Sequence, residues 1–276
     1  MSEATISTAD TEQTLLPVNT ECGEFIFGDG VFTTLKFVNK SPIEIDAHLE
    51  RLNSDARRIA IAPPDRFYIL NQVSLTIKQF KHPQGVIRIA LVRTVHSVQS
   101  VDKGVLDNCE LFINCRKIPY WPEQINAIVC TQRLSRNPVL AGIKHLSRLE
   151  LILATRELKL QRADFQEGIV LDTENFVIEG LISNIFWFNQ GTFYTPLVNS
   201  AGVNGLTRRR VIKILTSSQY SLSIGEFTLH DLLSSEHVWV CNSVRGIQPL
   251  SRINEQQFAN NNSLNSLLEN AIADDD

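Results

Sequence analysis

Nowhere in the 276 residues is there a run approaching the roughly 18 consecutive apolar residues of a membrane-spanning helix. No G-x-G-x-x-G, G-x-x-x-x-G-K-[ST] or G-x-S-x-G is present, which excludes the common nucleotide loops and the serine-hydrolase elbow. Positive charge is short: 26 Lys+Arg against 30 Asp+Glu leave a net charge of −4, without the basic field of a dedicated nucleic-acid binder. The five cysteines are an odd number without C-x-x-C spacing, which argues against a disulfide scaffold or zinc module and for a reduced, cytoplasmic protein. No His/Cys/carboxylate cluster suggests a metal. The N-terminal MSEATISTADTEQ is polar and shows no signal peptide; residues 1–20 read as a mobile lead-in or one short strand.

What remains is ordinary for a globular chain, 43% hydrophobic and 20% charged, with length for one large domain or two smaller ones. VFTTLKFV at 31–38 alternates as a strand. Residues 46–61 read as a helix with Asp46 as N-cap and Leu49, Leu52, Ala56 and Ile59 on its inner stripe. Pro63-Pro64 ends it, and a second helix follows at 65–81. Strands at 86–95 and 110–116 complete an N-terminal α/β domain, 1–116. KIPYWPEQ, 117–124, is a stiff linker between domains. The larger domain, 125–276, begins with a strand at 125–133 and a Pro- and Gly-broken loop at 135–146. A helix at 147–161 is expected to turn Leu149, Ile152, Leu153 and Leu160 inward. The strands GIVLD and NFVIEG, the hairpin NIFWF/TFYT, a helix at 206–218, the strand HVWVCN and a helix at 263–272 follow.

Lys144, in LAGIKHL, has an apolar frame unusual for lysine; desolvation would favour the neutral amine. A snorkelling loop lysine is the blander alternative. Glu179, in VIEGLISN, is either a solvent-facing turn residue or a partner for a protonated ring nitrogen. Gly205-Leu206-Thr207 opens a helix, where backbone N–H groups and a hydroxyl suit an anion, or where Thr207 simply caps. The Arg208-Arg209-Arg210 run reads as a solvated face. Arg51 is either paired with Asp55 on its helix or reaches a phosphate. His48 and His145 read as packing or hydrogen-bonding histidines. Lysine, carboxylate, helix-start anion site and arginine are together the parts pyridoxal 5'-phosphate needs.

In this combination the chain resembles the fold-type IV pyridoxal-phosphate enzymes, from Phe27 to Pro249. FGDGVFTTLKF with HLERL is similar to that family's N-terminal signature, and VIEGLISNIFW, AGVNGLTR and CNSVRGIQPL match further segments. RNPVLAGIKHLSRLE resembles the 4-amino-4-deoxychorismate lyase branch, where the lysine precedes a His-Leu-polar-Arg-Leu-Glu run. The resemblance implies a two-domain α+β fold like D-amino-acid aminotransferase, with a barrel-like core in the larger domain. It implies a cytoplasmic homodimer acting on a small molecule, with active sites at the domain interface. By the same resemblance Lys144 bonds the cofactor and Glu179 pairs with its pyridine nitrogen. Arg51, Leu206, Thr207, Asn242 and Ser243 would hold the phosphate, and Ser183 and Asn184 would line the cofactor. Thr34 would stand beside the reacting centre, and strand alternation puts Thr33 on the opposite face. Substrate carboxylate falls to Arg93, with Arg88 nearby; the loop after it, TVHSVQSVDKG, lacks the Gly-rich run with a second arginine usual in the lyases. A D-amino-acid or branched-chain transaminase, or a cofactor-free binding protein on the same fold, would be the alternatives.

Overall fold

The computed structural model describes residues 28–93, 109–123, 125–161 and 164–273. The lead-in at 1–20, Cys22 and the loop at 94–104 lie outside them. The chain divides into two compact units, Met1–Pro119 and Tyr120–Asp276.

In the first unit an antiparallel sheet has the order β2-β1-β3-β4, from β1 (Gly30–Val38), β2 (Ser41–Pro42), β3 (Gly85–Arg93) and β4 (Cys109–Arg116). Alternation along β1 sorts its side chains cleanly. Val31, Thr33, Leu35 and Phe37 are fully buried, while Thr34 and Lys36 on the other face are half-buried. Helices α1 (Ile45–Arg58) and α2 (Arg66–Gln79) pack on β1 and β4 respectively. Leu49, Leu52 and Ala56 form the inner stripe of α1, with His48, Arg51 and Asp55 buried beside them. The α1 N-cap is Glu44, in the left-handed region at φ 53°, and not Asp46. Asp46 sits inside the first turn and pairs with Arg66, so that the dipole and a neighbouring helix use its charge instead of a cap. Asp65 caps α2, accepting from Phe67 N and Tyr68 N.

The second unit is one nine-stranded mixed sheet. Its order is β10-β9-β8-β11-β12-β5-β6-β7, with β13 (Gln256–Gln257) paired to β12. The strands are β5 (Ile125–Leu134), β6 (Glu167–Asp172), β7 (Val177–Gly180), β8 (Asn184–Asn189), β9 (Thr192–Pro196), β10 (Ser221–Gly225), β11 (His237–Asn242) and β12 (Gly246–Ile253). Ile185 and Trp187 of β8 share one core cluster with Ile169 of β6 and Val177 of β7. Strand β7, at one end of the order, also contacts β8 and β9 near the other end, so the sheet curls back into a barrel-like core. Two helices, α4 (Leu206–Thr216) and α6 (Asn262–Ala273), cover Phe186, Phe193 and Trp239 on the outer face. A single turn of helix, α5 (Leu229–Leu233), opens on a capping box formed by Thr228 and Asp231.

Helix α3 (Leu149–Lys159) corrects the expected stripe. Leu151 and Ala154 pack on Ile128, Cys130 and Val170, whereas Leu149 is 67%, Ile152 54% and Leu153 42% exposed. Leu160, just past the helix, is exposed as well. The helix is apolar on two sides, and the side carrying Leu151 and Ala154 faces the sheet.

Candidate active site

Lys144 lies in the loop between β5 and α3, which tight contacts hold without regular structure. Arg136 at its start bonds Asp172 Oδ2 at 2.9 Å and Ser200 Oγ at 3.0 Å. Asn137 N donates to Ser200 O at 2.7 Å. Two residues before the lysine, Gly142 makes a parallel bridge to Val203: its N–H donates to Gly202 O at 2.9 Å and its carbonyl accepts from Asn204 N at 3.1 Å. Gly142 has φ 79°, which a β-carbon would strain. Lys144 itself is half-buried.

The far side of that bridge is held by Glu179. Its Oε2 accepts from Val203 N at 2.9 Å, and the residue is 3% exposed, so it is no solvent-facing turn residue. Burial pushes this carboxyl up, against the pull of Arg148, of the Val203 N–H and of Lys144. Lys144 and Glu179 thus share one electrostatic environment, and the backbone bonds of Gly142 to Gly202 and Asn204 hold the lysine's loop beside the Val203 N–H that Glu179 accepts. Arg148 enters the same environment; it is the arginine of the His-Leu-polar-Arg-Leu-Glu run, to which the sequence reading gave no role. It is the N-cap of α3 while Lys144 lies in the loop before it, so the motif itself was the available signal. His145 is held neutral, its pKa lowered to about 4 chiefly by burial and by the Arg148 charge.

Gly180-Leu181-Ile182-Ser183 turns β7 into β8. A second buried carboxylate clamps this turn: Glu167 accepts from Leu181 N at 3.0 Å, from Ser183 Oγ at 2.8 Å and from Arg245 Nη1 at 3.4 Å. The Ser183 hydroxyl is therefore committed to Glu167. Sequence reading missed Glu167 and Arg245, since a buried ion pair between distant residues leaves no local pattern. Asn184 Nδ2 donates to Val203 O at 2.8 Å. A β-carbon on Gly205 would come within 2.2 Å of Asn184 Oδ1, so only glycine allows this approach.

Gly205 is also the N-cap of α4, and no side chain caps that helix. Thr207 does not cap it; its Oγ1 instead lies 3.5 Å from Ser243 Oγ. Two hydroxyls thus converge at a helix N-terminus, an arrangement suited to an anion. The Asn242 side chain shapes the neighbouring turn, accepting from Val244 N at 2.9 Å and Arg245 N at 2.8 Å. Arg208 is buried, donating to Pro196 O at 2.7 Å, and leaves the expected solvated face.

In the first unit the predicted residues separate by face. Thr33 and Arg51 lie toward the helices; Thr34 lies on the other face, directly across from Arg88 in the β1–β3 register. The Arg88 guanidinium stands 3.9 Å over the Phe32 ring. Arg93 ties the start of β1 to the end of α1. Its Nε donates to Asp29 Oδ2 at 2.7 Å, Nη1 to Ala60 O at 3.2 Å, and Nη2 to Ile59 O.

The family described as amino-transferase class IV matches residues 30–253. The chain belongs to the class IV aminotransferases. Among relatives of this class IV chain, an aminodeoxychorismate lyase of Vibrio harveyi is 32% identical over 83% of this chain and 84% of its own. An aminodeoxychorismate lyase of Bacillus subtilis (strain 168) is 29% identical over 85% and 80%. The crystal structure of 4-amino-4-deoxychorismate lyase from Pseudomonas aeruginosa superposes with TM-score 0.83 at 26% identity, covering 94% of this chain and 96% of that one. The two-unit α+β architecture is thus the fold-type IV fold of class IV aminotransferases.

Proposed function

We propose that this chain is a pyridoxal-phosphate-dependent lyase converting 4-amino-4-deoxychorismate to 4-aminobenzoate and pyruvate, a folate-pathway step, in the cytoplasm. The observation that carries the reading is the run of contacts from Glu179 through Val203 and Gly142 to the loop of Lys144. It sets a buried acid and an amine in one frame, and the likeness to lyases names the reaction.

The residues fit the cofactor. Glu179, buried to 3% exposure among the charges of Arg148 and Lys144, suits a further charge-assisted bond from a protonated pyridine nitrogen. The uncapped α4 start with Thr207 and Ser243 suits a phosphate monoester. When bound, pyridoxal phosphate provides an electron sink for charge developing at the amine-bearing carbon. Lys144 Nζ holds the cofactor, then as a free amine takes the proton from that ring carbon. Glu179 keeps a proton on the pyridine nitrogen. Asn184 lines the site, while Ser183 and Asn242 shape the turns that bear it. Arg51 is a further phosphate holder. Departure of the enolpyruvyl group makes the ring aromatic and drives the step forward. Incubation with 4-amino-4-deoxychorismate should release 4-aminobenzoate and pyruvate in equal amounts. Turnover only of an amino acid with a 2-oxo acid would instead mean a class IV transaminase.

For Glu179→Gln, we expect the cofactor to stay bound and proton abstraction to slow. Loss of one charge-assisted hydrogen bond, about 1.5–3 kcal/mol, corresponds to about ten- to a hundred-fold in rate. Single-turnover kinetics at full cofactor occupancy would check this; an unchanged rate would remove Glu179 from the role.

For the substrate carboxylates the geometry favours Arg88 over Arg93, because Arg88 shares the Thr34 face and Arg93 is committed to Asp29 and two carbonyls. Arg88→Met should raise KM about ten- to a hundred-fold, the worth of a hydrogen bond to a charged group. Arg93→Met should chiefly lower the melting temperature. The opposite assignment of the two effects would restore Arg93.

The protein is further proposed to be a homodimer. Leu149, Ile152 and Leu153 give α3 a second apolar side that its own unit leaves exposed, and such a face suits a second copy. Sedimentation should give twice the chain mass at micromolar concentration; a fully active monomer would contradict it.

A further inference from the structure

Arg51 does not stand alone on α1. Its Nη2 donates to Thr33 Oγ1 at 2.7 Å, and the same oxygen lies 2.6 Å from His48 Nδ1. All three residues are buried: Thr33 is 0%, His48 1% and Arg51 4% exposed. His48 and Arg51 are three apart on one helix face, and β1 alternation turns Thr33 toward them.

The donor order follows from the chemistry of the groups. A guanidinium only donates, so Thr33 Oγ1 is the acceptor toward Arg51. The hydroxyl has one proton of its own, and His48 Nδ1 is the acceptor in reach. With His48 as acceptor its proton sits on Nε2; with Nδ1 protonated the same oxygen accepts from both His48 and Arg51, and either way it braces the guanidinium. In either arrangement His48 holds the hydroxyl, and an oxygen lone pair faces Arg51. The guanidinium plane is thereby set before any ligand arrives. A hydroxyl does this while bringing no negative charge, whereas a carboxylate at position 33 would compete with an anion for the same fork.

We propose that Thr33 and His48 are positioning residues that preset Arg51 for the phosphate monoester of the cofactor, with Thr33 as the direct brace. The inference rests on the reading of Arg51 as a phosphate holder. It assigns to Thr33 a role separate from that of its neighbour Thr34.

The test measures equilibrium affinity of the apoprotein for pyridoxal 5'-phosphate and for pyridoxal, which lacks the phosphate. Thr33→Val should weaken pyridoxal 5'-phosphate binding about ten-fold, the scale of one hydrogen bond to a charged group, and leave pyridoxal binding unchanged. Thr33→Ser, which keeps the hydroxyl, should bind like the wild type. Should the valine variant fail to fold, Thr33→Ala reads the same loss without added bulk. Equal weakening toward both ligands would mean a general structural role and overturn the proposal. So would full affinity in Thr33→Val or Thr33→Ala alongside a weakened Arg51→Gln. If Arg51→Gln itself keeps the preference for the phosphorylated ligand, the reading of Arg51 fails and this inference falls with it.

Discussion

Lys144→Ala should abolish lyase turnover and the visible absorbance of bound cofactor. A positioned general base alone is worth about 10²–10⁴-fold, and in the proposed role the same amine also holds the cofactor, so the loss should exceed that range. The electrostatics add a second effect. Lys144 is among the groups that hold the Glu179 carboxyl down against burial, so its removal lets that carboxyl rise further and favours the uncharged acid. The variant loses the amine and weakens the anion together. Borohydride reduction of the wild-type holoenzyme, followed by peptide mapping, should label Lys144. No other lysine has a comparable apolar, Gly-flanked frame. A label on a different lysine would end the assignment.

Thr34→Val should bind the cofactor normally and lose turnover by about 10²–10⁴-fold, the range for a hydroxyl passing a proton to a leaving group. The replacement is close to isosteric and keeps β-branching, so strand geometry is preserved. The structure sharpens the contrast with Thr33. Thr34 is half-buried on the Arg88 face, whereas Thr33 is fully buried against His48 and Arg51. Thr34→Val should therefore change kcat, and Thr33→Val cofactor affinity. Small and equal effects on turnover from both would remove the hydroxyl role and leave the lyase reading on the lysine motif and the likeness to lyases.

Alternation located β1 and the 3.6-residue stripe α1, because each buries one face; β3 and the β8/β9 hairpin were legible as short apolar, β-rich runs, as strands buried on both faces are. These patterns failed where burial followed another rule. Strand β10 is short, polar and at the sheet edge, and β12 carries Pro249 in its middle, so neither shows a strand pattern. On α3 two sides are apolar, so periodicity alone could not choose between them, and the sheet contact selects Leu151 and Ala154. Lys144 and Glu179 could be found because each has an unusual neighbourhood in the chain. His48 was legible as a hydrogen-bonding histidine and Thr33 as facing away from Thr34, but their bond to each other, and Glu167 with Arg245, could not be read, since those partners are brought close only by folding.

The uncapped start of α4 has a thermodynamic corollary. Gly205 cannot supply a capping side chain, and Asn184 Oδ1 occupies the space where one would begin. A helix end so built is completed by whatever anion settles there, and binding then counts toward the folding equilibrium by mass action. With free cofactor at a hundred times its Kd, that linkage amounts to about 2.7 kcal/mol. The scarcity of cofactor in a cell would then act on the lifetime of the protein as well as on its activity, since the share of unfolded chains exposed to proteases rises as the ligand is withdrawn.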